Sequence, residues 1–143
     1  MTESLRRPES VLVVVHTKAL EILLLERVSP TGYWQSVTGS LEWDETPAEA
    51  ARREIVEETG LPVTGLRDAG RSQRFAILPE WRAKFPPDTD TNLEHVWYLE
   101  LPAIVDVTLN PDEHSRCEWL GFDAALERVS SWTNRDAIAA LRR

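Results

Sequence analysis

Residues 39–61 read GSLEWDETPAEAARREIVEETGL, and the interpretation of the whole chain starts from them. The stretch holds seven acidic and two basic residues, so it carries −5 of the chain's net charge of −8. Thr46 is an N-cap candidate, Pro47 suits the first helical position, and Glu49 completes a capping box. Gly60 is a typical stop signal at the other end. The pattern predicts a capped helix that begins at Pro47 and stops at Gly60.

Three glutamates of this helix indicate its chemistry. Residues three and four apart are neighbours on a helix, so we expect Glu54, Glu57 and Glu58 on one face. Crowded carboxylates repel one another unless a cation neutralises them, and Mg²⁺ prefers oxygen ligands of this kind. The alternative is a solvated charged face, which is what most charged runs are. That alternative does not account for the glycines that frame the acidic segment.

The rest of the chain is predicted to form short strands and helices around this segment. The apolar runs 10–17 and 19–26 are joined by a short connection, which predicts a hairpin. The other predicted elements are strands at 34–38, within 63–78, at 95–101 and at 116–122, a loop at 84–92, and helices at 123–128 and 134–143. Strands mixed with few helices indicate an α/β (α+β) arrangement of layers around a mixed sheet.

Length and composition limit the classes of function. The chain has 143 residues, the size of one ordinary domain, and we expect residues 1–143 to form a single domain. The acidic balance argues against nucleic acid polymers and anionic membranes as partners, because both are polyanions. The single cysteine, Cys117, permits no internal disulfide, and the N-terminus is polar without a signal segment. These features predict a cytoplasmic protein, and they do not indicate its oligomeric state.

The spacing within residues 39–61 resembles the signature of the Nudix hydrolase family. The nine matching positions are Gly39, Glu45, Arg53, Glu54, Ile55, Glu57, Glu58, Gly60 and Leu61. The resemblance implies a Nudix fold, in which a mixed β-sheet is sandwiched between α-helices. It also implies hydrolysis of a nucleoside diphosphate linked to another moiety, with Mg²⁺ as cofactor and Mn²⁺ as a candidate substitute. The Gly39 carbonyl oxygen is a further candidate metal ligand.

The same resemblance implies roles for the individual side chains. Glu54 and Glu58 become core metal ligands, and Glu57 joins them. Arg53 is grouped with the catalytic residues because, with Glu45, it orients these carboxylates. The intact signature favours an active enzyme over a Nudix module that senses a nucleotide without hydrolysing it.

Segments outside the signature resemble a folate-pathway branch of the family. They are Arg7-Pro8, the stretch 33–40 (YWQSVTGS), the pair Glu113-His114 and the stretch 131–135 (SWTNR), in the same order and spacing. This resemblance implies hydrolysis of dihydroneopterin triphosphate to dihydroneopterin monophosphate and diphosphate. The alternative within the same class is a general (d)NTP pyrophosphatase that acts, for example, on dATP or an oxidised dNTP. In both hypotheses the partner is a small-molecule triphosphate.

The branch also implies site residues outside the helix. Glu113 becomes a metal ligand or general base from a loop opposite the helix, with Asp112 as the fallback. The implied substrate-binding residues are Arg6, Arg27, Thr38, Trp132 and Asn134. The planar guanidinium of arginine pairs well with phosphate oxygens, and an aromatic ring stacks on a flat heterocycle. Trp132 equally fits as a core anchor for the last helix, and Asn134 fits as its N-cap.

Overall fold

The computed structural model describes residues 5–142, which contain seven strands and three α-helices. In chain order they are β1 (Glu9–Thr17), β2 (Glu21–Arg27), β3 (Trp34–Gln35), β4 (Val37–Ser40), α1 (Pro47–Thr59), β5 (Leu66–Ala76), β6 (Thr91–Leu101), β7 (His114–Gly121), α2 (Phe122–Arg128) and α3 (Trp132–Ala139). Two short 3₁₀ helices follow β5 and α3, at Pro79–Lys84 and Ala140–Arg142. Across residues 5–142, the helices are all too short or too polar to span a lipid bilayer.

Strand β1 organises a mixed seven-stranded sheet. Along one edge it pairs in parallel with β6 from Glu9 to Thr17. On the antiparallel side it pairs with β4 over residues 10–13, but it meets β2 only where His16 lies opposite Ile22. Strand β2 then pairs with β3 and β7. Because β1 and β2 are joined at one end only, they separate towards β3 and β4, and the sheet opens there.

The side chains of β1 alternate between two cores, as strand geometry requires. Val11, Val13 and Val15 belong to the core that includes the buried residues of α1. Leu12 and Val14 belong to the second core, which includes buried residues of α2 and α3. A strand that is buried on both faces explains the continuous apolar run in the sequence. The predicted α/β (α+β) layers, a mixed sheet between helices, are confirmed.

The capping box at the start of α1 is present as predicted. The Thr46 hydroxyl accepts a hydrogen bond from the Glu49 backbone N–H (3.2 Å), and the Glu49 carboxylate accepts one from the Thr46 N–H (2.9 Å). Gly60 ends the helix with φ of 69°, a left-handed conformation that glycine adopts without steric cost. These interactions are local in sequence, which is why the bounds of this helix could be predicted.

Two predictions about loops and strands are wrong in their bounds. The loop predicted at 84–92 ends earlier, because Thr91 and Asn92 already belong to β6 and Asn92 is buried. The strand predicted at 34–38 is two short strands separated by Ser36, one paired with β2 and the other with β1. Both differences follow from strand pairing with distant segments, which local sequence patterns do not report.

The start of the last helix differs from the prediction by two residues. Helix α3 begins at Trp132, and the Ser131 hydroxyl caps it by accepting a hydrogen bond from the Asn134 N–H (3.2 Å). Asn134 is therefore not the N-cap but lies in the first turn. Trp132 is 54% exposed, so the hypothesis that it anchors the core is also wrong.

Candidate active site

Two of the three α1 glutamates that were predicted to share a face lie on the buried face of the helix. Glu54 and Glu58 are one turn apart, and only 8% and 1% of their surfaces are exposed. Glu57, by contrast, is exposed and lies apart from the buried pair, and its role as a metal ligand stays a prediction. The separation arises because positions i+3 and i+4 lie on opposite sides of position i around a helix with 3.6 residues per turn. The buried face therefore carries two carboxylates in a small space.

The protein supplies too few hydrogen bonds and positive charges to offset the burial of these two carboxylates. Among the described residues neither oxygen of Glu58 has a hydrogen-bond partner. Burial and the charge of Glu54 raise the pKa of Glu58 well above its ordinary value. Burial also raises the pKa of Glu54 to about 7, although the guanidinium of Arg53 opposes the rise. An unpaired buried carboxylate is costly, so a positive charge at this position would stabilise the arrangement.

The start of β7 brings two further groups to Glu58. Ligand atoms of Glu58, Glu113 and His114 all lie within 4.8 Å of one another. His114 Nε2 is 3.9 Å from Glu58 Oε1 and 3.2 Å from Gln35 Nε2. Burial, together with the charge of Arg27, lowers the pKa of His114 to about 4. The imidazole is therefore neutral near pH 7.

Backbone hydrogen bonds hold the loop that carries Glu113. The Glu113 carbonyl accepts from the Val28 N–H (2.9 Å), and the Glu113 N–H donates to the Asn110 carbonyl (3.1 Å). The Asn110 side chain also accepts from the Asp112 N–H (3.1 Å). Glu113 lies in the cluster with Glu58, whereas Asp112 lines the neighbouring cleft. The structure thus places the predicted residue, and not its fallback, beside α1.

Gly39 makes room for one of the carboxylates. A Cβ atom at this position would overlap Oε2 of Glu54. The glycine is thus required by the close approach of a side chain. Its place in the sequence signature has a steric explanation, since any larger residue would displace Glu54.

Arg53 connects the middle of α1 to the loop before it. Its Nε and Nη2 atoms donate to the two oxygens of Glu45 (2.7 and 2.8 Å), and Nη2 also donates to the Ser40 carbonyl (3.2 Å). Its Nη1 donates to Glu57 (3.1 Å), as the i, i+4 spacing predicts. These bonds raise the pKa of the Arg53 guanidinium and fix its orientation. Arg53 and Glu45 therefore act as positioning residues in this structure.

A cleft of about 920 Å³ opens beside the carboxylates, where β1 and β2 separate. Its lining includes Glu54, Glu113 and His114. It also includes all of the predicted substrate-binding residues, which are Arg6, Arg27, Thr38, Trp132 and Asn134. The structure therefore brings all five predicted substrate-binding residues to one cavity.

Two predicted substrate-binding side chains already have partners inside the protein. The Thr38 hydroxyl donates to the Val11 carbonyl (2.9 Å). Asn134 is 1% exposed, and its Oδ1 accepts from the Ser36 N–H (2.7 Å) while its Nδ2 donates to the Ser36 hydroxyl (2.9 Å). The amide of Asn134 therefore ties α3 to the link between β3 and β4.

One acidic residue of the cleft was missed by the sequence analysis. Glu94 lies on β6, is 5% exposed, and lines the cleft. Its Oε1 accepts a hydrogen bond from Gln73 Nε2 (3.1 Å). Glu94 could have been identified from the alternation of side chains along β6. Positions 92, 94, 96 and 98 are all buried, and an acidic residue among them is unusual.

The ligand atoms near α1 fit a divalent metal ion. Carboxylate oxygens from Glu54, Glu58 and Glu113 form the kind of oxygen-rich set that hard cations prefer. The buried Glu58 carboxylate, which lacks a donor in the described part of the chain, would gain the partner that it needs. We call Glu54, Glu58 and Glu113 the acidic cluster.

The family profile of the NUDIX domain matches residues 6–141 of this chain. The protein therefore belongs to the Nudix family. The resemblance inferred from the spacing within residues 39–61 is confirmed, and the mixed sheet between helices is the fold expected of this family.

Relatives from one branch of the family match nearly the whole chain. The dihydroneopterin triphosphate diphosphatase of Escherichia coli K12 is 36% identical over 138 residues, which cover 93% of this chain and 91% of the relative. The enzyme of that name from Haemophilus influenzae is 37% identical over 135 residues, or 91% and 84% of the two chains. The solved structure of the E. coli dihydroneopterin triphosphate pyrophosphohydrolase superposes with a TM-score of 0.89 at 35% identity and covers 96% of this chain and 97% of that chain.

Proposed function

We propose that this protein is a Mg²⁺-dependent pyrophosphohydrolase that cleaves dihydroneopterin triphosphate to dihydroneopterin monophosphate and diphosphate in folate biosynthesis. Similarity to the E. coli and H. influenzae diphosphatases over nearly the whole chain supports this substrate. The structural observation that carries the proposal is the group Glu58, Glu113 and His114, whose ligand atoms lie within 4.8 Å of one another, together with Glu54, whose charge acts on Glu58. These residues lie beside a cleft of about 920 Å³ that also contains arginines and aromatic rings. The cleft thus combines groups for a metal, a triphosphate and a flat ring.

The acidic cluster would hold the metal. A bound Mg²⁺ supplies Lewis-acid stabilisation of phosphate charge and lowers the pKa of a coordinated water, and Mn²⁺ can serve as a substitute. Hydrogen bonds from Arg53 to Glu45 fix the position of α1 relative to the loop that precedes it. Gly39 leaves space for the Glu54 carboxylate. These residues therefore preorganise the carboxylates before substrate arrives.

The reaction adds one water across a phosphoanhydride bond. The water oxygen forms a bond to one of the two phosphorus atoms that flank the bridging oxygen, the P–O bond between that phosphorus and the bridging oxygen breaks, and the monophosphate and diphosphate are released. A carboxylate must accept a proton from that water. Exposed Glu113, next to buried Glu58, is our candidate for this role.

Arginines of the cleft are suited to the triphosphate. Arg27 donates through Nε to the Ser29 carbonyl (2.9 Å), and its guanidinium lies 5.8 Å from the Trp81 ring centroid and 6.0 Å from that of Tyr33. These contacts hold a planar fork at the cleft, which matches phosphate oxygens. Arg6 lines the same cleft, and its backbone N–H donates to the Lys84 carbonyl (2.7 Å). Together with the metal, they would let a chain of net charge −8 bind an anionic substrate.

The proposal extends to the setting of the enzyme. We propose that residues 1–143 act as one domain in the cytoplasm, with a small-molecule triphosphate as partner and neither a nucleic acid polymer nor a membrane. The acidic net charge supports the exclusion of polyanionic partners.

A substrate panel tests the proposal. Diphosphate release is measured with dihydroneopterin triphosphate, dATP, dGTP and 8-oxo-dGTP, each with Mg²⁺ and with EDTA. We expect kcat/KM for the pterin to exceed that for each nucleotide by about tenfold or more, because the cleft selects the ring by specific contacts. We also expect EDTA to abolish turnover. Faster turnover of dATP, or orthophosphate as the product, would contradict the assignment.

A further inference from the structure

The wall of the cleft formed by β6 and α3 buries a carboxylate that hydrolysis does not require. Glu94 lies opposite Ser10 in the parallel pairing of β6 with β1. Its side chain lies on the same face of β6 as those of Val96 and Tyr98, which pack in the core that includes α3. The acidic cluster instead extends from α1, which packs on the other face of the sheet. Glu94 therefore faces the cleft from a different side than the metal ligands.

Neutral groups hold the Glu94 carboxylate in place. Gln73 Nε2 donates both to Glu94 Oε1 and to the Thr133 carbonyl (3.1 Å each), so one amide bridges β5, β6 and α3. Burial raises the pKa of Glu94, and hydrogen bonds from Gln73 and the Thr133 side chain oppose that rise. We call Glu94, Gln73 and Thr133 the β6 wall. A carboxylate that is fixed by neutral donors keeps lone pairs for a ligand, because its two oxygens offer about four acceptor sites.

The chemistry of heterocycle edges shows what such a carboxylate suits. A 2-amino-4-oxo pyrimidine ring, as in a pterin or guanine, presents a ring N–H and an exocyclic NH₂ side by side. A carboxylate accepts both hydrogen bonds in one plane, as it does from arginine. Adenine offers one donor and one acceptor at the corresponding edge. A fixed carboxylate in the cleft therefore favours pterin and guanine rings over adenine.

We infer that Glu94 is a specificity-determining residue that accepts hydrogen bonds from the ring N–H and 2-amino group of the substrate's heterocycle. The inference rests on the proposed function and names the group that recognises the ring. Trp132 adjoins Thr133, is 54% exposed and lines the same cleft, so its indole is placed to stack on the ring face. Asn134 was predicted to bind substrate, but its amide is bound to Ser36, so we assign the contact with the ring edge to Glu94.

A base series on the wild-type enzyme tests the edge contact without any substitution. We compare kcat/KM for dGTP, dITP and dATP, in which dITP lacks only the 2-amino group of dGTP. We expect dGTP to exceed dITP by about tenfold or more, since a site built for a donor loses a hydrogen bond when the donor is absent. Equal values for dGTP and dITP, or a preference for dATP, would overturn the inference.

The Glu94→Gln variant tests the residue itself, with Glu100→Gln as a matched control on the exposed side of β6. Glutamine offers one donor and one acceptor, which suits adenine and not two donors. We expect kcat/KM for dihydroneopterin triphosphate to fall by at least about tenfold, chiefly through KM, and the dGTP to dATP ratio to fall by a similar factor. The control should leave both quantities unchanged.

The results separate this inference from the proposed function. If dihydroneopterin triphosphate yields no diphosphate in the wild type, the proposed function fails. If it is hydrolysed and Glu94→Gln keeps both its KM and the base ratios, the proposed function stands and the role of Glu94 is refuted. If the variant does not fold, equal kcat/KM values for dGTP and dITP in the wild type still refute the inference, and a preference for dGTP supports it.

Discussion

The acidic cluster and the β6 wall bury glutamates among different neighbours. Glu58 lies beside Glu54, and among the described residues neither of its oxygens has a hydrogen-bond donor. Glu94 is nearly as buried, but a neutral amide and a hydroxyl hold it. The first arrangement is unfavourable until a cation arrives, whereas in the second the hydrogen bonds offset part of the cost of burial and leave acceptor capacity. The comparison indicates that the acidic cluster is suited to bind a cation and that the β6 wall is suited to orient the ring of the substrate.

The largest effect is expected from Glu58→Gln, which tests whether the acidic cluster binds a metal ion. The substitution removes one negative charge from the acidic cluster with little change of shape. We expect kcat to fall by about a hundredfold or more, because a ligand that positions the metal is lost. In EDTA the variant should melt at the same temperature as the wild type or higher, because the repulsion of Glu54 is relieved. Unchanged turnover, with Glu100→Gln as the control, would remove Glu58 from the metal site.

Gly39→Ala tests whether the geometry of the acidic cluster matters apart from its charge. The added methyl group would displace the Glu54 carboxylate, whereas Gly121→Ala adds a methyl group with nothing within 4 Å. We expect the affinity for Mn²⁺, measured by calorimetry, to fall by about ten- to a hundredfold in the first variant, because the position of a ligand is disturbed. The second variant should bind like the wild type. Equal affinities for the two variants would refute the steric role of Gly39.

Trp132→Ala tests the recognition of the ring next to the β6 wall. Removal of a stacking surface should raise KM for dihydroneopterin triphosphate by about tenfold and leave kcat nearly unchanged, since the acidic cluster is intact. Trp43→Ala is the matched control, because Trp43 is 58% exposed and does not line the cleft. Steady-state kinetics decide the question. A fall in kcat at constant KM would contradict stacking.

The smallest expected effect is the pH dependence of stability that Glu94 contributes. Its pKa is raised in the folded protein above the ordinary value of 4.5, so its contribution is fully present below about pH 4.5. It is lost as pH rises through the higher folded-state pKa. The melting temperature of the wild type minus that of Glu94→Gln should therefore decrease from pH 4.5 upwards. A difference that increases with pH would show that Glu94 prefers its ionised form in the fold.

The comparison also explains which part of the site could be predicted. The residues of α1 act at spacings of three and four, and the capping contacts join Thr46 to Glu49, so helix geometry alone places them. The location of Glu113 beside α1 came from the family resemblance. The burial of Glu94 depends on the pairing of β6 with β1 and on the packing of α3, and no local pattern reports either contact.

The tertiary structure also decided between local alternatives. Asn134 satisfies the preference for an N-cap, but Ser131 takes that position and the Asn134 amide binds Ser36, 98 residues earlier. Trp132 is apolar enough for a core and is nevertheless exposed beside the cleft. Local propensities of this kind are weak compared with packing between distant segments.

Residues 39–61 were enough to identify the family, the capped helix and the α1 carboxylates that fit a metal, because these features depend on contacts within a few residues of chain. Which carboxylates are buried, which side chains share the cleft, and that Glu94 is among them became visible only in the fold. The physical reason is that burial and pairing are properties of the whole sheet. They arise where β1, β6 and the helices meet, and those segments lie far apart along the chain.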